Sequence, residues 1–231
     1  MRIKFQEKTI EARLAALQRW LQREIDGVRP DAGAPELEVF RQEFEEGMAL
    51  HDAWRPGQAV VEVSPNGRRT FLRSKTGDAI DLEVSGLPKH RLVRLQFDLI
   101  LGGNWHPCDR KAGPDLFRCR IAGARSLVHA SFCTTNRGWP SQSFPKNHPL
   151  IPDDHGNRED GLSGSREHQT LGYDNDAVYS FDFHVPHERD ELRIEFGALF
   201  GELDAKLPQW FGIDHLRVTV LPDFVEREPV E

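Results

Sequence analysis

The stretch Val93-Arg94-Leu95-Gln96-Phe97-Asp98-Leu99-Ile100-Leu101 decides the fold. Val93, Leu95, Phe97, Leu99 and Leu101 alternate with Arg94, Gln96, Asp98 and Ile100, and a period of two puts one face on a core and the other, mostly polar, outward. That is the pattern of a β-strand. Working outward, the alternation recurs in Ile80, Leu82 and Val84, in Tyr179, Phe181, Phe183 and Val185, and in Leu192, Ile194, Phe196, Ala198 and Phe200. Further strands are predicted at 58–63, 69–72, 116–121, 127–133 and 213–221, separated by turn signals such as Pro65-Asn66-Gly67, Thr76-Gly77-Asp78 and Ser85-Gly86-Leu87-Pro88. Many short half-buried strands without intervening helices predict an all-β domain of two antiparallel sheets packed face to face, a jelly-roll β-sandwich, with a barrel as the alternative.

Two segments break this rhythm. Ile10, Leu14, Leu17, Leu21, Ile25 and Val28 recur at helical spacing behind Thr9, a suitable N-cap, so residues 9–28 are predicted to form an amphipathic helix. Arg29-Pro30-Asp31-Ala32-Gly33-Ala34-Pro35 then reads as a linker, because its prolines and glycine oppose helix continuation. The chain divides into a helix and Pro-rich linker (1–35), a β-sandwich domain (36–222) and an acidic tail (223–231). The second exception is 134–176, a stretch punctuated by Gly138, Pro140, Pro145, Pro149, Pro152, Gly156, Gly161, Gly164 and Gly172. Loops of that length in compact domains are usually functional or disordered.

Composition bounds the function. At 231 residues the chain is long enough to bury roughly 70% of its unfolded surface, so no metal or disulfide is needed to hold it together. A formal charge of -7 argues against nonspecific nucleic-acid binding, which needs a basic face to displace counterions. No apolar run is long enough to span a bilayer, and Met1-Arg2-Ile3-Lys4-Phe5 lacks the hydrophobic stretch of a signal peptide. Fourteen Phe against two Tyr and two Met suit a rigid interior better than an adaptable surface.

Several short motifs add a resemblance. Glu43-Phe44-Glu45, Ser64-Pro65-Asn66-Gly67, Leu82-Glu83-Val84-Ser85-Gly86-Leu87-Pro88-Lys89-His90, Phe97-Asp98-Leu99, Gly113-Pro114-Asp115, Gln142-Ser143-Phe144-Pro145, Thr170-Leu171-Gly172-Tyr173 and Trp210-Phe211-Gly212-Ile213-Asp214-His215-Leu216-Arg217-Val218 follow one another along the chain. In that order they resemble the jelly-roll modules of large secreted bacterial proteins, similar to carbohydrate-binding modules and laminin-G domains. The resemblance spans about residues 38–222 and implies a sandwich in extracellular or periplasmic company, which conflicts with the missing signal peptide and leaves the compartment open. It also implies a structural Ca²⁺ tying the first strand to the last, with Glu45 and Asp214 as the matching oxygen donors. The chain departs from the pattern at Asn104-Trp105-His106-Pro107-Cys108-Asp109, where related modules carry an acidic residue after the tryptophan.

Candidate chemistry gathers near loops. Trp105, Trp139, Phe144 and Tyr173 are rings that would stack on sugar faces if exposed, or pack the long loop down if buried. Asp153, Asp154, His155, Glu159 and Asp160 form a polar cluster in which Asp154 and His155 are the ligand-binding candidates, and paired carboxylates there would suit a polysaccharide hydrolase or lyase. No GxSxG or HExxH motif supports an enzyme. Cys108, Cys119 and Cys133 are odd in number; with His106 and His129 they lack the CxxC or HxH spacing of a metal site. The helix must bury Leu14, Leu17, Leu21 and Ile25 on its own sandwich, on another copy or in a partner's groove. The leading expectation is a non-catalytic protein- or glycan-binding module; the alternatives are an accessory subunit docking through its helix onto a larger complex, whether membrane-associated or not, and a polysaccharide hydrolase or lyase.

Overall fold

The computed structural model describes residues 36–45, 49–74, 77–107, 114–123, 126–135, 140–145, 159–201 and 206–222. The helix expected at 9–28, its linker and the tail lie outside the described residues. Every regular element within them is a strand: β1 (Leu37–Gln42), β2 (Trp54–Arg55), β3 (Val60–Val63), β4 (Thr70–Ser74), β5 (Ile80–Ser85), β6 (His90–Gly102), β7 (Leu116–Ile121), β8 (Ser126–Ser131), β9 (Pro140–Gln142), β10 (Glu159–Asp160), β11 (Glu167–His168), β12 (Asp176–Pro186), β13 (Glu191–Leu199) and β14 (Trp210–Pro222). They pair antiparallel into two main sheets and a ribbon of β9 and β10. One sheet has seven strands in the order β11-β12-β6-β14-β4-β3, with β1 also on β14; the other has five, β2-β5-β13-β7-β8.

The period-two pattern of β6 explains this arrangement. Val93, Leu95, Phe97, Leu99 and Leu101 all enter the main core, where they join Leu82, Phe117, Ile194 and Phe196 of the five-stranded sheet. Each such side chain contributes about 1.5–3 kcal/mol by leaving water. The phenylalanine excess is spent here: Phe97 stacks on Phe181 with ring centroids 5.0 Å apart and meets Phe196 edge-on at 5.2 Å. Ile100, on the nominally polar face of β6, is buried too, because a second cluster of Phe71, Ile100, Leu171, Val178 and Trp210 sits there. The segment around Leu171 covers it, anchored where the Asp176 carboxylate accepts the Thr170 and Leu171 N–H groups at 3.0 and 3.2 Å.

β14 changes partner halfway along. Phe211, Gly212 and Ile213 pair with β4, whereas Leu216 to Val220 pair with β1. At the change, pairing with β6 passes from Asp214 opposite Asp98 to Arg217 opposite Gln96, so His215 and Leu216 together face Phe97. This is a β-bulge, and its first residue, His215, takes the left-handed conformation, φ 48°, as in bulges of the G1 type. The extra residue returns Leu216, Val218 and Val220 to the core.

At the other end, two histidines close the turn after β12. His90, almost fully buried, places Nδ1 2.6 Å from the Pro88 carbonyl and Nε2 2.8 Å from His187 Nδ1. A carbonyl only accepts, so neutral His90 carries its proton on Nδ1 and accepts from His187 through Nε2. Burial, with His90 and Arg189 nearby, holds His187 below the usual histidine range. Its proton is therefore bound more readily in the unfolded chain. The stability that His187 contributes is complete above about pH 6.5 and is expected to be lost as pH falls through its lower folded value. Melting curves at about pH 5 and pH 7.5 should show a smaller pH difference for His187→Gln than for wild type.

Candidate functional site

The bulge brings charged groups together on the outer face of the seven-stranded sheet. Asp98 accepts from Arg69 Nη1 at 2.7 Å, lies 3.0 Å from His215 Nδ1, and accepts from the Ser180 hydroxyl. The Asp214 carboxylate is 3.3 Å from the same Arg69 nitrogen and accepts the His215 N–H at 2.7 Å. The other Arg69 terminal nitrogen donates to Glu167 at 2.8 Å, and Glu167 accepts from the Thr170 hydroxyl. Burial opposes ionisation of Asp98, yet hydrogen bonds from His215, Arg69 and Ser180 outweigh it and hold its carboxyl far below the usual range. Asp214 moves the other way, raised by burial that His215 and Arg69 only partly offset. His215 is raised, chiefly by its hydrogen bond to Asp98, and so contributes stability below its ordinary pKa that is lost as pH rises through the higher folded value.

Strand register lays these residues out in rows. Ser180, Asp98 and Asp214 stand opposite one another across β12, β6 and β14, and Asp182, Gln96 and Arg217 form the next row. Above the rows lies an open groove of about 370 Å³, lined by Gln96, Asp98, Ser180, Asp182, His215 and Arg217, with Arg41, Glu43 and Arg166 at its margins. Its side chains are held in place. Arg94 grips Asp182 with two hydrogen bonds of 2.9 and 2.7 Å, Gln96 donates to the same carboxylate at 3.2 Å, and Arg217 pairs with Glu38 at 2.9 Å. The hydrogen bond to Asp182 raises Arg94 against the opposing effect of burial, and the same bond lowers Asp182. Such a surface offers fixed donors and acceptors to a polar ligand.

The sequence-based candidates land in different places. Asp214 is in the cluster, but Glu45 is exposed, and the described partners of Asp214 are Arg69 and His215, so a calcium ion would have to displace a guanidinium. No group of three or more His, Cys, Asp or Glu among the described residues is placed to hold a metal. Trp105 is corrected from a ligand-stacking ring to a core residue. It is fully buried, and its Nε1–H is shared by the Gly102 and Trp210 carbonyls at 3.2 and 3.1 Å, leaving no face for a sugar. Phe144 packs the loop onto the sandwich by stacking on Phe132 at 4.9 Å and meeting Tyr179 edge-on. Tyr173 donates its hydroxyl to Glu62 at 2.7 Å and rests on Trp210, over which Arg73 also lies. Cys119 and Cys133 are buried free thiols, and burial pushes Cys119 far up, so Cys119 is not poised to react. Trp139, Asp154, His155 and Cys108, like Leu14, Leu17, Leu21 and Ile25, lie outside the described residues.

Sequence reasoning passed over Arg69, Gln96, Ser180 and His215. Gln96 and Asp98 were visible as the polar face of β6, but a register joining residues 69, 98, 180 and 215 cannot be read from local periodicity.

No family model matches the chain, and no curated protein matches it. Among solved structures it is similar to a family GH115 4-O-methyl-α-glucuronidase described as specific for decorated arabinogalactans, at 16% identity and a TM-score of 0.37, covering 82% of this chain and 19% of that chain. The chain thus spans about a fifth of that enzyme's length. At that identity and TM-score the likeness identifies neither a family nor an activity.

Proposed function

We propose that this domain is a non-catalytic binding module of jelly-roll type whose protein or glycan ligand seats in the groove over Gln96, Asp98, Ser180, Asp182 and His215. The observation that supports this reading is the pre-ordering of the groove: its polar side chains are already fixed by cross-strand pairs and ion pairs, which reduces what a ligand must order on binding. General acid catalysis fits less well. Beside the groove, the carboxyl with the raised pKa, Asp214, is 2% exposed and sits against Arg69, whereas the exposed carboxylate, Asp182, is held ionised by Arg94.

Glycan and peptide arrays probed with the full chain test the reading. A ligand retrieved there should bind the Gln96→Ala, Arg166→Ala double variant at least tenfold more weakly while the melting temperature stays within about 2 °C; unchanged affinity would place the ligand elsewhere.

Calcium is a separate proposal, resting on the resemblance at Glu45 and Asp214 with backbone carbonyls completing the shell. Added Ca²⁺ should raise the melting temperature of wild type and not of Asp214→Ala, and removal by chelator should reverse the rise. Superimposable wild-type curves with and without the ion rule it out. The accessory-subunit and hydrolase readings rest on residues 9–28 and on Asp154 and His155, outside the described structure.

A further inference from the structure

β12 is eleven residues long, but β11 covers only its beginning, where Glu167 pairs with Val178 and His168 with Ala177. From Ser180 to Pro186 the strand has β6 on one side and, among the described residues, no strand on the other. The ladder beside this edge reveals which backbone groups face outward. Arg166 donates its N–H to the Val178 carbonyl at 2.8 Å and Gln169 donates to that of Asp176 at 3.0 Å. In an antiparallel strand the backbone N–H and C=O of alternate residues point to the same side. Those of Ser180, Asp182 and His184 therefore face the open edge, while those of Phe181 and Phe183 serve β6. Pro186, with no N–H to offer, ends the run.

The two faces beside this edge differ in character. On the outer face lies the polar groove described above. On the inner face, between β12 and β8, lies an apolar slot of about 260 Å³ walled by Leu127, Val128, Phe144 and Phe183. Both cavities include Ser180, Phe181 and Asp182, so they flank a single stretch of strand.

We propose that this edge accepts an extended segment of a partner polypeptide as an added β-strand, with its side chains falling alternately into the apolar slot and the polar groove. The inference rests on the reading of the domain as a binding module and names its ligand class. A polypeptide is favoured because it alone supplies backbone donors and acceptors at strand spacing, about 6.8 Å per residue pair, together with side chains that alternate between two faces. The chain's own Arg166 to His168 already uses the first part of this edge in that manner, so the added strand continues an existing ladder. A second copy fits less well, since β12 paired with itself about Asp182 sets two carboxylates opposite each other. Pairing from Ser180 to His184 engages about five residues of the partner, roughly 17 Å of extended chain.

A phage-displayed library of random 12-residue peptides, selected on the full-length protein, supplies the probe. Selected peptides are expected to alternate apolar and polar residues over about five positions and to exclude proline there. His184→Pro removes an N–H that faces the edge and not β6; it should weaken binding at least tenfold, whereas His184→Ala, which keeps that N–H, should weaken it much less. Should His184→Pro fail to melt cooperatively, peptides N-methylated at alternate positions test the same point, with one set losing binding and the other keeping it. In the free protein the amides of Asp182 and His184 should exchange rapidly and that of Phe183 slowly, with the first two slowing when peptide is bound. No enriched peptides, peptides indifferent to both His184→Pro and N-methylation, slow exchange of Asp182 and His184 in the free monomer, or dimerisation through this strand would each overturn the proposal. A ligand that responds to the Gln96→Ala, Arg166→Ala variant but not to His184→Pro would refute strand addition while leaving the binding-module reading intact.

Discussion

Replacing Arg69 with methionine is expected to destabilise the domain by about 3–5 kcal/mol, the cost of leaving buried carboxylates without their cation. Arg69 reaches Asp98, Asp214 and Glu167 at once, and the side chains of Asp98 and Asp214 are 13% and 2% exposed, so water cannot replace the lost guanidinium. Methionine keeps much of the volume, which confines the loss to charge and hydrogen bonding. The pH dependence carries the sign. Asp98 is lowered in the folded state, so its contribution is present above the ordinary carboxylate value of 3.8 and disappears as pH falls through and below it. The gap between wild type and Arg69→Met should therefore be widest near neutral pH and narrow below about pH 4. Denaturant unfolding at three or four pH values measures it, and a loss under about 1 kcal/mol at pH 7 would mean that the cluster is incidental to stability.

Trp105→Ala is expected to cost about 3–5 kcal/mol, the range for removing a fully buried aromatic side chain. The indole ring meets Phe132 and Phe200 edge-on at 6.5 and 5.2 Å, and its N–H serves two carbonyls, so alanine leaves both a cavity and acceptors that have lost a donor. Trp105→Phe, which keeps a ring but not the N–H, should fall between. A ring stacked on ligand would lose affinity at constant stability, whereas this core ring is expected to lose stability first. Thermal unfolding alongside a binding assay reads both.

Much of the fold was legible because β-strands announce themselves locally. The alternation from Val93 to Leu101 lies wholly within β6, and the strands predicted at 80–84, 116–121 and 179–185 coincide with β5, β7 and β12. What local pattern could not convey was anything set by pairing between distant strands. Ile100 broke the alternation for a reason found in Trp210 and Leu171, more than seventy residues away. Asp98 and Asp214 each appeared in a motif, yet their facing one another, and the insertion of Arg69 between them, depends on a bulge at His215 that a histidine does not announce. Trp105 illustrates the converse problem: a tryptophan beside Gly102, Gly103 and Pro107 reads like an exposed loop ring until the fold supplies two carbonyls for its N–H. Gln96 and Ser180 are ordinary outward polar residues in sequence and became a surface only when register set them in adjacent rows.

The proposed ligand site lies on the outer face of the seven-stranded sheet at β6, β12 and the β14 bulge. Backbone amide chemical-shift mapping of the full-length protein, titrated with a peptide or glycan taken from the array or display selections, tests it most directly. The expected result is a contiguous set of shifts at Gln96, Asp98, Ser180, Asp182, His184 and His215, with the opposite sheet around Glu83, Arg193 and Glu195 unmoved. Shifts confined to that opposite sheet, with Asp182 and His215 unmoved at saturation, would contradict the account.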